Sequence, residues 1–511
     1  MIFAIWKNPE FVRHARASVR RTRAIAIAAT VLAICALVWL GIWGSEHAEL
    51  DAMRNVEFRK ATADQILAKE NSLLRDVWRD FYQFVIGAQL AVLTFWSMLA
   101  CALSISGERE RKTWDFQRAT RLSPGELLAG KLVGEPVVAY YIVLCCLPLT
   151  AVAGLWGGEG WKNLGTFYAL MLSGSLFIGL TGLWLSNLFE ARSRGVGLIG
   201  TFGIYLMFAF ATQMSQGTMF PGLAGFSPLA GILPQLGSQT VDGNPTIFGA
   251  RVSWLLLSLL LYATFSAWLV LALVRTLKKD YDQMKPLSRW EVVGCSAFVS
   301  FTMYALFLPR QWENLNATRF AELMVGMNGF VLFLMGMAML TSAERLKVWW
   351  RSRSGVGWLL AEDGLAWPWL VISAAAGYLL LLWGMFAWKE VVGFEGKALA
   401  LGLLLFVVVA VYVVRDVTFL QWCRLTQMRS PVVKGFLYVG LYYAAAGVAT
   451  AVVNVASRTR GEAVLAWLTP FQSFAGDISG KSLLQIGIGL AIQMALTGWL
   501  VMAIGRRVRR T

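Results

Sequence analysis

The chain has 511 residues, 57% hydrophobic and only 15% charged, with a mean hydropathy of +0.58. That balance excludes a soluble globular protein and a disordered one. The formal charge of +16 raises nucleic acid as a partner. The basic residues, however, gather in short loops and tails beside apolar runs, with no groove-reading helix or aromatic–basic platform, so no nucleic-acid role is read.

Residues 1–23 predict a cytoplasmic amphipathic helix: Asn8 is placed to cap it, Pro9 sits in its first turn and Glu10 lies near its positive end. Arg13, Arg16 and Arg20 are expected on one face, which suits a helix lying on the inner membrane surface against anionic lipid. Apolar runs follow at 24–44, 82–105, 134–155, 164–189, 196–213, 252–274, 291–308, 320–341, 367–388, 397–414, 432–454 and 484–504. Each can cross a hydrocarbon core of about 30 Å, so the fold class is an all-α polytopic membrane protein with about twelve transmembrane helices. The first run is too long for a cleaved signal peptide and no small-x-small site follows it, so it reads as an anchor. Basic residues before the first run and at Arg506, Arg507, Arg509 and Arg510 place both termini in the cytoplasm of a multi-pass protein of the inner (plasma) membrane.

The segment 45–80 is helix-forming and nearly balanced, with eight acidic and six basic residues, and faces outward by alternation. Within it Glu46, His47, Glu49 and Asp51 are metal-ligating types, but their spacing matches no ligand motif, so no metal site is expected. His14 is read as lying across the membrane from them. The six cysteines show no CxxC spacing and read as apolar packing residues.

Residues 105–132 form a densely charged hairpin between two apolar runs, and its basic residues Arg109, Arg111, Lys112, Arg118, Arg121 and Lys131 hold it in the cytoplasm. The stretch Gly125 to Lys131 almost spells a phosphate-binding loop, yet Leu132 stands where a hydroxyl must hold Mg²⁺ and no soluble strand precedes it. Any ATP is therefore hydrolysed by another polypeptide. Further on, 216–244 is too apolar for a loop and too broken for a span; with Pro221, Ser227, Pro228 and Pro234 it reads as an outer re-entrant hairpin.

An internal repeat aligns Glu108 with Glu344, Arg109 with Arg345, Arg111 with Lys347 and Trp114 with Trp350. At a nearly constant offset, Ser227-Pro228 aligns with Thr469-Pro470. This predicts two parallel-oriented six-helix repeats, 24–275 and 291–511, joined by a cytoplasmic linker at 276–290 and related by a pseudo-two-fold axis along the membrane normal. No expected span carries a charge near its centre; Glu135, Glu291, Glu322 and Lys434 fall at edges, and 415–431 reads as a cytoplasmic loop. Ion-coupled pumps keep such charges despite their cost, so energy is expected from outside the membrane part.

The strings ERERKTW (108–114) and TRLSPGELLAGK (120–131) resemble the signature of type-2 ABC transporter permeases, roughly E-x-E-x-G-T followed by T-x-x-S-x-x-x-x-x-G-K. Lys112 departs from the family's usual Gly and Arg121 from its common Pro. The resemblance implies a permease, itself no enzyme, that exports a hydrophobic or amphipathic substrate. It implies that the hairpin is a coupling helix on which an ABC ATP-binding subunit docks, in two copies, through Glu108, Arg109, Glu110, Arg111, Lys112, Trp114 and Asp115. The weaker second copy would contribute Glu344, Arg345, Lys347 and Trp350. ATP and Mg would be held by that partner and no cofactor by this chain; membrane lipid is the other partner. Two alternatives stay open: an ion-coupled secondary transporter, or a membrane enzyme using Asp51, Asp64 and Asp80 on a lipid-linked substrate.

Overall fold

A computed structural model describes residues 7–54, 63–158, 160–188, 246–247, 250–251, 253–279, 286–306, 317–352, 358–387, 389, 396–426, 431–457 and 480–510. They divide into two compact units, Met1–Lys278 and Lys279–Thr511. The re-entrant segment expected at 216–244, with Pro221, Ser227, Pro228 and Pro234, lies outside the described residues, as do Thr469, Pro470 and the span expected at 196–213.

The first unit comprises α1 (Pro9–Ser18), α2 (Arg21–Arg54), α3 (Ala63–Glu110), α4 (Trp114–Ala119), α5 (Pro124–Gly134), α6 (Val137–Trp156), α7 (Trp161–Leu188) and α8 (Trp254–Thr276). The only strands among the described residues are an antiparallel pair of two residues each, Thr246–Ile247 with Ala250–Arg251. The second unit comprises α9 (Arg289–Leu306), α10 (Ala317–Ala338), α11 (Ala343–Arg351), α12 (Trp367–Ala387), α13 (Gly396–Arg424), α14 (Pro431–Ser457) and α15 (Gly480–Arg510). Nine described helices are long and apolar enough to cross a membrane: α2, α3, α6, α7, α8, α10, α12, α13 and α15. α9 and α14 cover two further runs read as spans. The protein is an all-α, multi-pass membrane protein.

α2 and α3 run well beyond any hydrocarbon core because the mixed-charge segment between the first two apolar runs is helical at both ends. Lys69 Nζ reaches Glu46 at 2.8 Å and Glu49 at 3.2 Å, tying the two helices together there. α3 is the spine of the first unit and packs on α7, α6 and α2. One face at three- and four-residue spacing buries Tyr82, Ile86, Gln89, Leu93, Ser97 and Cys101. Carried one turn further, that face delivers Ser104 and then Glu108 to the charged hairpin. Gln89 Nε2 donates to Thr150 Oγ1 at 2.7 Å while Tyr168 OH donates to Gln89 Oε1 at 2.9 Å, so this polar group inside the apolar layer is satisfied. Gly182 lets α7 approach α3 closely, since a Cβ there would lie 2.6 Å from the Met98 carbonyl oxygen.

In the second unit α13 is central and packs on α10, α12, α14 and α15. Its course corrects the sequence reading: the helix does not end at 414 but continues to Arg424, and Arg415 and Asp416 are buried within it. Arg415 Nε and Nη2 reach Asp416 Oδ1 at 2.8 and 2.6 Å, and Nη1 reaches Gln493 Oε1 on α15 at 2.7 Å. Tyr442 and Tyr443 of α14 each lie 3.2 Å from the guanidinium, and Tyr443 OH donates to Asp416 Oδ2 at 2.7 Å. Hydropathy ends a span at charges, whereas here adjacent opposite charges neutralise each other and two neighbouring helices supply the remaining partners. At 1.5 Å per residue Arg415 lies about 14 Å inside the Arg424 end of α13, and Tyr442 about 16 Å past the Pro431 start of α14. Both distances approach half of a ~30 Å core.

Candidate functional site

The hairpin after α3 is built from the end of α3, a turn at 111–113, α4, a turn at 120–123, and α5. Ser123 closes α5 with a capping box: its Oγ accepts from the Glu126 amide, and Glu126 Oε2 accepts from the Ser123 amide at 2.8 Å. Leu127, Lys131 and Gly134 then share the buried face of α5, so helical spacing turns Lys131 inward. Its side chain is 0% exposed.

Lys131 Nζ donates to Glu108 Oε2 at 2.6 Å and to Ser104 Oγ at 3.3 Å, and lies 3.3 Å from Glu10 Oε1. Glu108 Oε1 accepts from Gln117 Nε2 at 2.6 Å and from Arg13 Nη2 at 3.0 Å. One carboxylate thus joins α1, α3, α4 and α5. Arg109 anchors the other side, donating to the Asn187 carbonyl and side-chain oxygens at 3.0 and 2.9 Å, while Asn187 Nδ2 donates to Thr276 Oγ1 at 2.7 Å. Lys278 Nζ holds the Thr120 carbonyl at 2.9 Å. The buried Trp114 ring lies 5.8 Å from the Arg109 guanidinium and 5.5 Å from Lys131 Nζ.

Asn8 caps α1 as expected, its Oδ1 accepting from the Glu10 and Phe11 amides, and its Nδ2 donates to the Glu126 carbonyl at 2.6 Å. α1 docks on α5 at Gly130, where a Cβ would meet Glu10 Cβ at 2.7 Å and Asn8 Oδ1 at 2.8 Å. The expected shared face of three arginines is only partly realised, because α1 ends at Ser18, before Arg20. Burial alone would raise the Glu10 carboxyl; the His14 hydrogen bond and the Lys131 and Arg13 charges outweigh it and hold the group at about 2 instead of 4.5. A depressed carboxyl pKa contributes stability above its unfolded value that is lost as pH falls through the folded one. Docking of α1 should therefore weaken below about pH 4.5 and be lost near pH 2, a linkage of roughly 3 kcal/mol. Hydrogen exchange of 9–18 at successively lower pH measures it, and Glu10→Gln should flatten the profile.

The donor atoms of Glu10, His14 and Glu108 lie within 4.8 Å of one another, a grouping that could hold a cation. Arg13 Nη2 already sits among them, at 2.7 Å from Glu10, 3.0 Å from Glu108 and 3.2 Å from His14, so the carboxylates are neutralised by the chain itself. The sequence reading placed His14 across the membrane from the Glu46–Asp51 segment and gave it no partner; the fold brings it beside three carboxylates, Glu10, Glu108 and Glu135. Glu10 is one helical turn from His14, but Glu108 and Glu135 come from distant parts of the chain, which local sequence does not bring together.

The outward side of the hairpin is exposed: Glu110, Arg111, Lys112, Asp115 and, 78% exposed, the apolar Phe116. Lys112 has φ +59°, a left-handed backbone that disfavours a side chain and explains the family preference for Gly there. Lys112→Gly should raise stability by roughly 0.5–1 kcal/mol, visible as a higher thermal midpoint.

The second copy is built differently. The register that matched Glu108 with Glu344 does not hold in the backbone: Glu108 belongs to the unbroken α3, whereas α10 stops at Ala338 and Glu344 opens the separate α11. Gln421 stitches the break, accepting from the Thr341 amide and donating to its carbonyl, both at 2.8 Å. Among the described residues Glu344, Arg345 and Lys347 form no ion pair. Trp350 packs against Gly505, and Trp349 stacks on Trp358 at 4.3 Å. Val348 is the exposed apolar residue of α11.

No curated protein and no solved structure matches the chain. The family model described as ABC-2 family transporter protein matches residues 16–334, which include the whole Glu108–Lys131 hairpin and end before α11. With its multi-pass helical fold, the chain belongs to the ABC-2 transporter family and is a transmembrane, transport-component subunit of an ABC transporter rather than an enzyme.

Proposed function

We propose that this subunit exports a hydrophobic or amphipathic substrate across the inner membrane, driven by a separate ATP-binding subunit that holds ATP and Mg and docks on the 105–132 hairpin. The observation that carries this reading is an exposed Phe116 on the same hairpin as the exposed Arg111, Lys112 and Asp115, a hairpin whose other side is fixed by the buried Lys131–Glu108 pair. A docking surface needs an apolar anchor and charged surroundings for orientation. It also needs a stiff mount if a push is to reach α3, and Glu108 ends the same face of α3 that packs the membrane core.

The reading places both termini in the cytoplasm with the hairpin. It assigns two ATP-binding copies to the two halves, 24–275 and 291–511, one held strongly through Phe116 and one weakly through α11. The Arg415–Asp416 pair is the one observation that favours an ion-coupled transporter instead, but every described donor on that guanidinium is already hydrogen-bonded. Proteoliposomes distinguish the two. ATP with the partner ATPase should drive substrate accumulation with no ion gradient; accumulation driven by a proton gradient alone contradicts the reading.

A further inference from the structure

A small cavity in the second unit borrows one side chain, Arg345, from the helix assigned to the weaker docking contact. It is lined by Arg289 at the start of α9, Thr341 and Ser342 ahead of α11, Arg345 in its first turn and Arg424 at the end of α13, with Glu362 and Asp363 also in its wall. Arg289 is only 4% exposed. Its Nε donates to the Glu362 carbonyl at 3.2 Å, and its Nη2 to Thr341 Oγ1 and the Gly364 carbonyl at 2.9 and 3.0 Å. Its Nη1 is buried with no partner among the described residues.

Independent features add unused donors to this wall, which also holds the Glu362 and Asp363 carboxylates, Glu362 Oε1 accepting from the Arg289 amide at 3.3 Å. Ser342 occupies the N-cap position of α11 but its side chain caps nothing, and its buried Oγ has no partner among the described residues. The first-turn amides of this nine-residue helix therefore keep their partial positive charge. Arg345, half-buried beside them, makes no ion pair or hydrogen bond among the described residues. Desolvation pulls the Arg289 pKa down to about 10 although Glu362 and Asp363 oppose it, so those carboxylates leave the buried cation under-compensated. Three guanidinium groups face two carboxylates around a space of about 30 Å³, room for roughly two water-sized groups. An oxyanion could enter with two oxygens leading.

We propose that this cavity binds a phosphate group, and that its natural source is an anionic lipid headgroup in the leaflet at the Arg424 end of α13. The depth supports the source. Trp290 beside Arg289 is exposed and edge-on to Trp369 at 4.7 Å, as aromatic residues are at the headgroup level. Basic pockets at helix ends suit headgroup phosphates, with charge-assisted hydrogen bonds from arginine.

The full chain in phosphatidylcholine nanodiscs is the reference, and its thermal midpoint is compared with that in discs containing added phosphatidylglycerol and with that in reference discs given inorganic phosphate. Phosphatidylglycerol should raise the midpoint and remain bound in native mass spectrometry. Arg345→Gln and Ser342→Ala, which remove groups the fold does not use, should each weaken that binding about tenfold while leaving the reference midpoint unchanged. Asp363→Asn should tighten it by removing a competing charge. Stabilisation by inorganic phosphate alone, abolished by Arg345→Gln, supports the phosphate site with a soluble source. Absence of stabilisation by either probe, or stabilisation undiminished in both Arg345→Gln and Ser342→Ala, overturns the proposal.

Discussion

Lys131→Met should destabilise the first unit by roughly 3–5 kcal/mol, the cost of removing one partner from a buried ion pair. Methionine fills the volume of the lysine stem, so the loss is electrostatic and not a cavity effect. Glu108 Oε2 would lose its 2.6 Å partner and Glu10 its buried lysine, leaving the half-exposed Arg13 to serve both carboxylates with His14 beside Glu10. Because Glu108 also holds Gln117 of α4 and α1, the damage should spread to the hairpin and the N-terminal helix together. Hydrogen exchange should show 9–18 and 114–119 losing protection in the same step. Lys131→Met combined with Glu108→Gln should recover part of the loss, since two neutral groups leave no buried charge behind. An unchanged thermal midpoint in Lys131→Met would mean that the pair is not what mounts the hairpin.

A loss of similar size, about 3–5 kcal/mol, is expected for Arg415→Met in the second unit. It strands Asp416, buried within α13, with only the Tyr443 hydroxyl as a described partner. Asp416→Asn should cost less, because Arg415 keeps Gln493, Tyr442 and Tyr443 and the asparagine still accepts a hydrogen bond. Arg415→Met with Asp416→Leu should be the mildest of the charge-removing variants, as replacement of a whole buried pair by apolar residues usually is. Thermal unfolding in nanodiscs gives the order. The pair then serves to bind α13 to α14 and α15, and transport should fall only in proportion to stability. Transport abolished by Asp416→Asn at an unchanged midpoint would make the carboxylate a working ion site.

The parts of this fold that were legible are those that depend on one-dimensional chemistry. A run of twenty apolar residues becomes a helix wherever it is read, and the Asn8-Pro9-Glu10 start of α1 is a local signal that survives any tertiary context. What remained hidden depends on distant partners. Arg415 and Asp416 look like a span end because hydropathy counts each charge and is blind to their mutual neutralisation. Lys131 looks like a topological marker until α5 turns it onto Glu108, and Glu10 and His14 join it from more than a hundred residues away. Glu344 copies Glu108 in sequence, but the α10–α11 break, held by Gln421, gives it a different backbone setting. Lys112 is the reverse case: its departure from the family's Gly was visible, and only its positive φ shows what the departure costs.

The most direct test of the docking reading is capture of the ATP-binding subunit by the full chain and by two surface variants, Phe116→Asp and Val348→Asp. Both residues are exposed, at 78% and 68%, so neither substitution should shift the thermal midpoint. Phe116→Asp is predicted to reduce capture by tenfold or more, on the order expected for loss of an apolar anchor, and Val348→Asp by clearly less. Undiminished capture by Phe116→Asp, with its fold intact, would contradict the assignment of the 105–132 hairpin as the main contact.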